Sequence, residues 1–136
     1  SAKINIQVLN FIIIKISKNL KSKKIPLVKS KILILGLSYK KDLDDIRESA
    51  SIKLINKLFK KGIKNISAHD PYVDNKISNK KITKIKFLNS KIINSFDIVV
   101  LMTDHDIFDY DLIKRNAKLI IDCRGRFEVK DNVQRG

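Results

Sequence analysis

Between residues 40 and 47 the chain gathers Lys40, Lys41, Asp42, Asp44, Asp45 and Arg47 into one short stretch. It follows the apolar run 31–36, KILILG, and precedes helix-forming sequence that resumes near Ser49. Cations at both ends of such a connection suit an anionic ligand, because ammonium and guanidinium groups form charge-assisted hydrogen bonds with phosphate oxygens. Further reactive residue types follow later apolar runs: His69, Asp70 and Tyr72, then Thr103, Asp104 and His105, then Arg124 and Arg126. Each has a plainer reading. The three aspartates of the first stretch can simply pair with Lys40, Lys41 and Arg47 as a solvated loop. His105 beside Asp104 resembles half a catalytic pair, although a single histidine is as readily structural. His69-Asp70-Pro71 reads as turn chemistry, and Cys123 as a small apolar residue at a strand end. No Ser-His-Asp set or metal cluster stands out. GxGxxG is absent, so no segment offers the usual dinucleotide cradle.

The elements that must carry these residues read as an alternation of strands and helices. Ile4, Val8, Phe11, Ile12, Ile16 and Leu20 recur at helical spacing, so 4–21 is expected to be a helix. Ile6, Ile13 and Ile14 widen its apolar face, which implies burial on more than one side, by a further domain or a second subunit. A basic linker with Pro26 leads to strand 31–36. Ser49 can cap the next helix and Gly62 can end it. Strands follow at 65–69, weakly at 82–88, and at 97–102 and 118–122, with short helices at 89–95 and 109–116. The expected fold class is α/β: a Rossmann-like, doubly wound parallel sheet of about five strands in order 3-2-1-4-5, preceded by a helix. The switch point falls between the first strand and strand 97–102, and ligands of such sheets sit beyond the carboxyl ends there. By this reading 1–30 is an N-terminal helix and linker, 31–127 an α/β domain, and 128–136 a polar tail that frays.

Composition narrows the class. The 136 residues fit one domain, and 43% hydrophobic content supports a core. The formal charge of +15 invites a nucleic-acid partner. However, the lysines are scattered, and abundant Lys, Ile and Asn together fit an AT-rich codon bias. No aromatic platform or recognition helix stands out, so a basic nucleic-acid-binding domain is the lesser alternative. A single cysteine excludes an internal disulfide and fits a reducing cytoplasm. The apolar run 11–14 is too short to span a bilayer, so no membrane partner is expected. The chain opens Ser1-Ala2 and its one methionine is Met102, which suggests a part of a longer protein.

Four ordered motifs, LGLSYKKDLDDIRES, HDPYV, DIVVLMTDH and LIIDCRGRF, resemble the C-terminal domain of the UDP-glucose/GDP-mannose dehydrogenase family over residues 31–127. The helix expected over 4–21, which contains Asn5, resembles the segment joining that family's central helix to this domain. The resemblance implies an NAD-dependent enzyme that oxidises the C6 hydroxymethyl of a nucleotide sugar to a carboxylate through a cysteine thiohemiacetal. NAD would be held mainly by an N-terminal domain that this chain lacks. Cys123 is not at the nucleophile's motif. By motif position, Lys40 would contact the nucleotide sugar, Tyr39 would pack beside the uracil or ribose, and Arg124 would bind the nucleotide side. Arg47 would reach toward NAD. Where the family often has proline after the RES serine, this chain has Ala50. YKKD with TDH resembles enzymes acting on UDP-N-acetylhexosamines more than UDP-glucose enzymes, which tend to show FK and a Glu-Trp pair. The implied partners are a UDP-sugar, NAD, the remainder of the parent enzyme and a second subunit in a homodimer or larger assembly. The isolated chain is expected to lack turnover.

Overall fold

The computed structural model describes residues 6–37, 40–43, 46, 49–73 and 77–136. Helix α1 spans Ile6–Ser22. It closes where Lys24 adopts a left-handed φ of 58°, with Ile25 N donating to Leu20 O at 2.9 Å, a left-handed helix stop of the kind glycine usually supplies. Strand β1 is Lys31–Leu35, and α2 is Ala50–Lys61. Strand β2 is Asn65–His69, β3 is Thr83–Lys84 and α3 is Ser90–Asn94. Strand β4 is Ile98–Leu101, α4 is Tyr110–Asn116, β5 is Ile120–Asp122 and β6 is Val133–Arg135. The strands form one parallel sheet in the order β3-β2-β1-β4-β5-β6.

Side-chain alternation along the strands splits the core into two layers. Ile32, Ile34, Ile66, Ala68, Ile98, Val100 and Ile121 face α1 and α2, where Leu9, Ile12, Ile16, Leu20, Leu54, Ile55 and Leu58 are buried. Leu33, Leu35, Val99, Leu101 and Ile120 face the other way, against Ile93 of α3, Ile113 of α4, Phe96 and Phe108. Both faces are therefore apolar, as a covered parallel sheet requires. Each fully buried Leu or Ile contributes about 1.5–3 kcal/mol relative to an exposed one.

Two expectations change. The segment 128–136, read as a fraying tail, supplies β6, with Ile120 N donating to Asn132 O at 2.8 Å and Gly136 N to Asp122 O at 2.9 Å. Val133 is its one buried apolar residue. Gln134 meets α1 through a reciprocal amide pair with Asn19, both bonds 3.0 Å. A three-residue strand with one buried apolar residue leaves no period-2 apolar signal. Helix α1 buries one face within the chain and leaves Phe11 and Ile14 53% and 52% exposed, as its wide apolar face, expected to meet a further domain or a second subunit, allows. The third strand is shorter than expected, since Thr83 and Lys84 pair at an exposed edge.

Candidate functional site at the carboxyl edge of the sheet

The strand ends meet at Gly36. Its φ of +89° is open to glycine at low cost. A Cβ there would lie 2.6 Å from Thr103 N and 2.7 Å from Thr103 O. The backbones leaving β1 and β4 thus touch at the switch point, and one glycine permits it. Helix α2 is fastened to this place by two serines: Ser49 Oγ donates to Leu37 O at 2.7 Å and Ser51 Oγ to Gly36 O at 2.6 Å. Ser49 is the N-cap and Ala50 the first helical residue, so alanine replaces proline where proline's fixed φ would be tolerated but is not needed. The amino end of α2, with its positive dipole end, therefore starts at the carboxyl edge.

Beneath the rim lies a buried polar relay. Asp70 Oδ2 accepts from Leu37 N at 2.7 Å and lies 2.8 Å from His105 Nε2. Asp42 N donates to His105 Nδ1 at 2.7 Å. Asp70 Oδ1 accepts from Tyr72 N at 2.8 Å, which is the turn chemistry expected of His69-Asp70-Pro71. Burial alone would raise the Asp70 pKa, but the His105 hydrogen bond together with the Leu37 and Tyr72 amides carries it below its ordinary value. Because Asp42 N can only donate, His105 Nδ1 must accept, and the ring proton sits on Nε2 facing Asp70. His105 is thus partnered by Asp70 rather than by its chain neighbour Asp104. Tyr72 and Phe108 pack on its ring, with centroids at 4.8 and 5.4 Å. His69, whose Nδ1 lies 2.6 Å from Ile85 O, ties β2 to the chain beyond β3. Burial lowers its pKa despite that bond.

On the rim the charges from three separate connections interlock. Lys41 Nζ lies 3.0 Å and Arg126 Nη1 3.2 Å from Asp106 Oδ1. Arg124 Nε is 3.5 Å from Asp104 Oδ1, and Arg126 Nη1 is 3.6 Å from Asp104 Oδ2. Arg126 also lies over the Tyr110 ring at 4.2 Å. Lys41 and then Arg126 are the main causes that hold the exposed Asp106 carboxyl below its ordinary pKa. Lys41 therefore pairs across the sheet edge, not with Asp42 beside it. Asp42 Oδ1 instead accepts from Asp106 N at 3.0 Å.

The arginine-bearing connection is shaped by Asp122, which is fully buried at the end of β5. Its Oδ1 accepts from Arg124 N and Gly125 N, both at 2.9 Å. Its Oδ2 accepts from Phe127 N at 2.7 Å and Arg135 Nη1 at 3.2 Å. Of the residues singled out in the sequence, Lys40 is exposed in the β1–α2 connection, and Arg124 is half-buried at the end of β5. Tyr39 and Arg47 lie outside the described residues, as do Asp44 and Asp45. Burial pushes the Cys123 thiol up to about 12, which leaves it unsuited to be a thiolate nucleophile at neutral pH. Sequence reasoning missed the Asp70–His105–Asp42 relay, because its members lie 35 and 63 residues apart.

A sequence profile described as the UDP-glucose/GDP-mannose dehydrogenase family, UDP binding domain, matches residues 33–129. The chain belongs to that family. Among curated relatives it is 29% identical over 101 residues to the NDP-N-acetyl-D-galactosaminuronic acid dehydrogenase of Ralstonia solanacearum, covering 73% of this chain and 23% of the relative. It is 34% identical over 110 residues to the UDP-N-acetyl-D-mannosamine dehydrogenase of Methanococcus vannielii, covering 75% and 24%. The chain thus spans about a quarter of the length of these relatives. In fold it is similar to the crystal structure of an NDP-N-acetyl-D-galactosaminuronic acid dehydrogenase from Methanosarcina mazei. That match has a TM-score of 0.72 at 23% identity and covers 89% of this chain and 26% of that one. The dehydrogenase-family fold places the switch point, the α2 amino end and the arginine connection on one edge. No described helix is long and apolar enough to cross a membrane.

Proposed function

We propose that the chain is the substrate-nucleotide-binding C-terminal domain of an NAD-dependent nucleotide-sugar 6-dehydrogenase. The parent enzyme oxidises the C6 hydroxymethyl of a UDP-N-acetylhexosamine to the uronate, in polysaccharide biosynthesis in the cytoplasm. The observation that carries this reading is the convergence of Arg124 and Arg126 on one carboxylate, Asp104, at 3.5 and 3.6 Å. Two guanidiniums converging on one anionic group support a phosphate site at this place. Lys40, exposed in the facing connection, closes on the same diphosphate, and Tyr39 packs beside the base or ribose. Asp104 competes for the arginines until the more highly charged ligand displaces it.

NAD supplies the hydride acceptor. With a single glycine at the switch point and no dinucleotide fingerprint, this chain offers NAD only Arg47, and the remainder of the parent enzyme holds it. The parent acts as a homodimer or larger assembly. The names of the relatives support an N-acetylated sugar, in line with YKKD and TDH in this chain.

Calorimetric titration of UDP into the chain tests the reading. Lys40→Ala and Arg124→Ala should each weaken binding by about tenfold or more, the equivalent of one hydrogen bond to a charged group. Affinity should also fall with added salt. No heat with UDP, or unchanged affinity in both variants, overturns it. A panel of UDP-sugars assayed on the intact parent enzyme, with NAD reduction as the readout, tests the sugar.

A further inference from the structure

We propose that His105 is a positioning residue for nucleotide capture, holding the connection that carries Lys40. The inference rests on the reading of Lys40 given above, but its geometry stands apart from it. Four groups form a continuous line of hydrogen bonds: Leu37 N to Asp70 Oδ2 at 2.7 Å, Asp70 Oδ2 to His105 Nε2 at 2.8 Å, and Asp42 N to His105 Nδ1 at 2.7 Å. Leu37 and Asp42 flank Lys40 on its two sides. One buried pair from the ends of β2 and β4 therefore fixes both ends of the segment that presents the lysine. The pair is itself fixed. The His105 ring is fully buried and packed by Tyr72 and Phe108, and its backbone carbonyl accepts from Tyr110 Oη at 2.6 Å. A second contact braces the same corner, since Asp106 N donates to Asp42 Oδ1 at 3.0 Å.

The chemistry requires histidine in a single neutral tautomer. Nδ1 must accept from a backbone amide while Nε2–H donates to a carboxylate. Among neutral side chains, imidazole spans those two partners with a rigid ring. Asparagine places an acceptor near the Nδ1 position and cannot reach Asp70. Glutamine reaches the Nε2 position and leaves Asp42 N unmet. The two amides thus separate the halves of the relay.

The test uses the 136-residue chain, with amide exchange followed by NMR, UDP titration, and the nitrogen shifts of His105 in the wild type. His105→Gln should speed exchange of the Asp42 amide by about three- to tenfold, the equivalent of one net hydrogen bond. It should weaken UDP severalfold. His105→Asn should restore much of the Asp42 protection. The wild-type ring should show the Nε2–H tautomer, a readout that needs no variant to fold. An Nδ1–H tautomer, unchanged Asp42 exchange in the glutamine variant, or full UDP affinity in a variant whose Asp42 amide has been released would each overturn the proposal. If the wild type does not bind UDP, the nucleotide reading fails and with it the role in capture. The exchange and tautomer data then decide the mechanical claim on their own.

Discussion

Replacing Gly36 by alanine tests the close approach at the switch point, and Gly62 supplies the control. Both residues have positive φ, +89° and +105°, so each alanine variant carries the left-handed penalty of about 1–2 kcal/mol. Only Gly36 has neighbours. Its Cβ would meet Thr103 Cβ and lie 2.6 and 2.7 Å from the Thr103 backbone nitrogen and oxygen, whereas nothing lies within 4 Å at Gly62. The Thr103 backbone directly follows β4, which is buried throughout, so it cannot swing aside as a flexible side chain could. Forcing a methyl group against packed atoms costs about 1–3 kcal/mol. Gly36→Ala should therefore lose about 2–5 kcal/mol, and Gly62→Ala about 1–2 kcal/mol. Urea unfolding followed by circular dichroism reads both as shifts in midpoint at unchanged slope. If Gly36→Ala costs no more than Gly62→Ala, the two strand ends do not touch and the argument for a glycine at this position is wrong.

Asp122→Asn should destabilise the chain by about 2–4 kcal/mol in the same assay, because an amide retains one acceptor oxygen and turns a donor toward amides that need an acceptor. A loss below about 0.5 kcal/mol, the level of an ordinary surface substitution, would contradict the geometry. Acid should also destabilise the fold through Asp70. Its folded pKa lies below the unfolded value, so its contribution is complete above about pH 4 and is lost as the pH falls through the folded value. Unfolding measured across a pH series should show this slope flatten in Asp70→Asn, and an identical slope in the variant would refute the assignment.

The parts of the fold visible in the sequence are those with a strong local signal. ILIL and IVVL are buried apolar runs, and Ser49 and Gly62 bracket α2 as cap and stop. Strand order followed from the rules of parallel sheets. β6 was hidden because its side-chain attachments are one valine, an amide pair with Asn19 and the Arg135–Asp122 contact, none of which makes an apolar pattern. At the rim, residue types were legible but partners were not. Asp104 stands next to His105 in the chain, yet their side chains serve different neighbours, Arg124 and Arg126 for one and Asp70 for the other. Adjacency along an irregular connection does not determine direction in space, whereas a strand's period does.

The four donors gathered by Asp122 bear on how fast the proposed ligand would be captured. Arg124 stands on a backbone whose curvature is held by those donors, so under the proposed role of Arg124 an incoming phosphate would meet a backbone already in place and would have only to exchange with Asp104. Encounter would then be governed by diffusion, by attraction between opposite charges and by release of the side-chain pairs, while the entropy of ordering that backbone would not count against affinity.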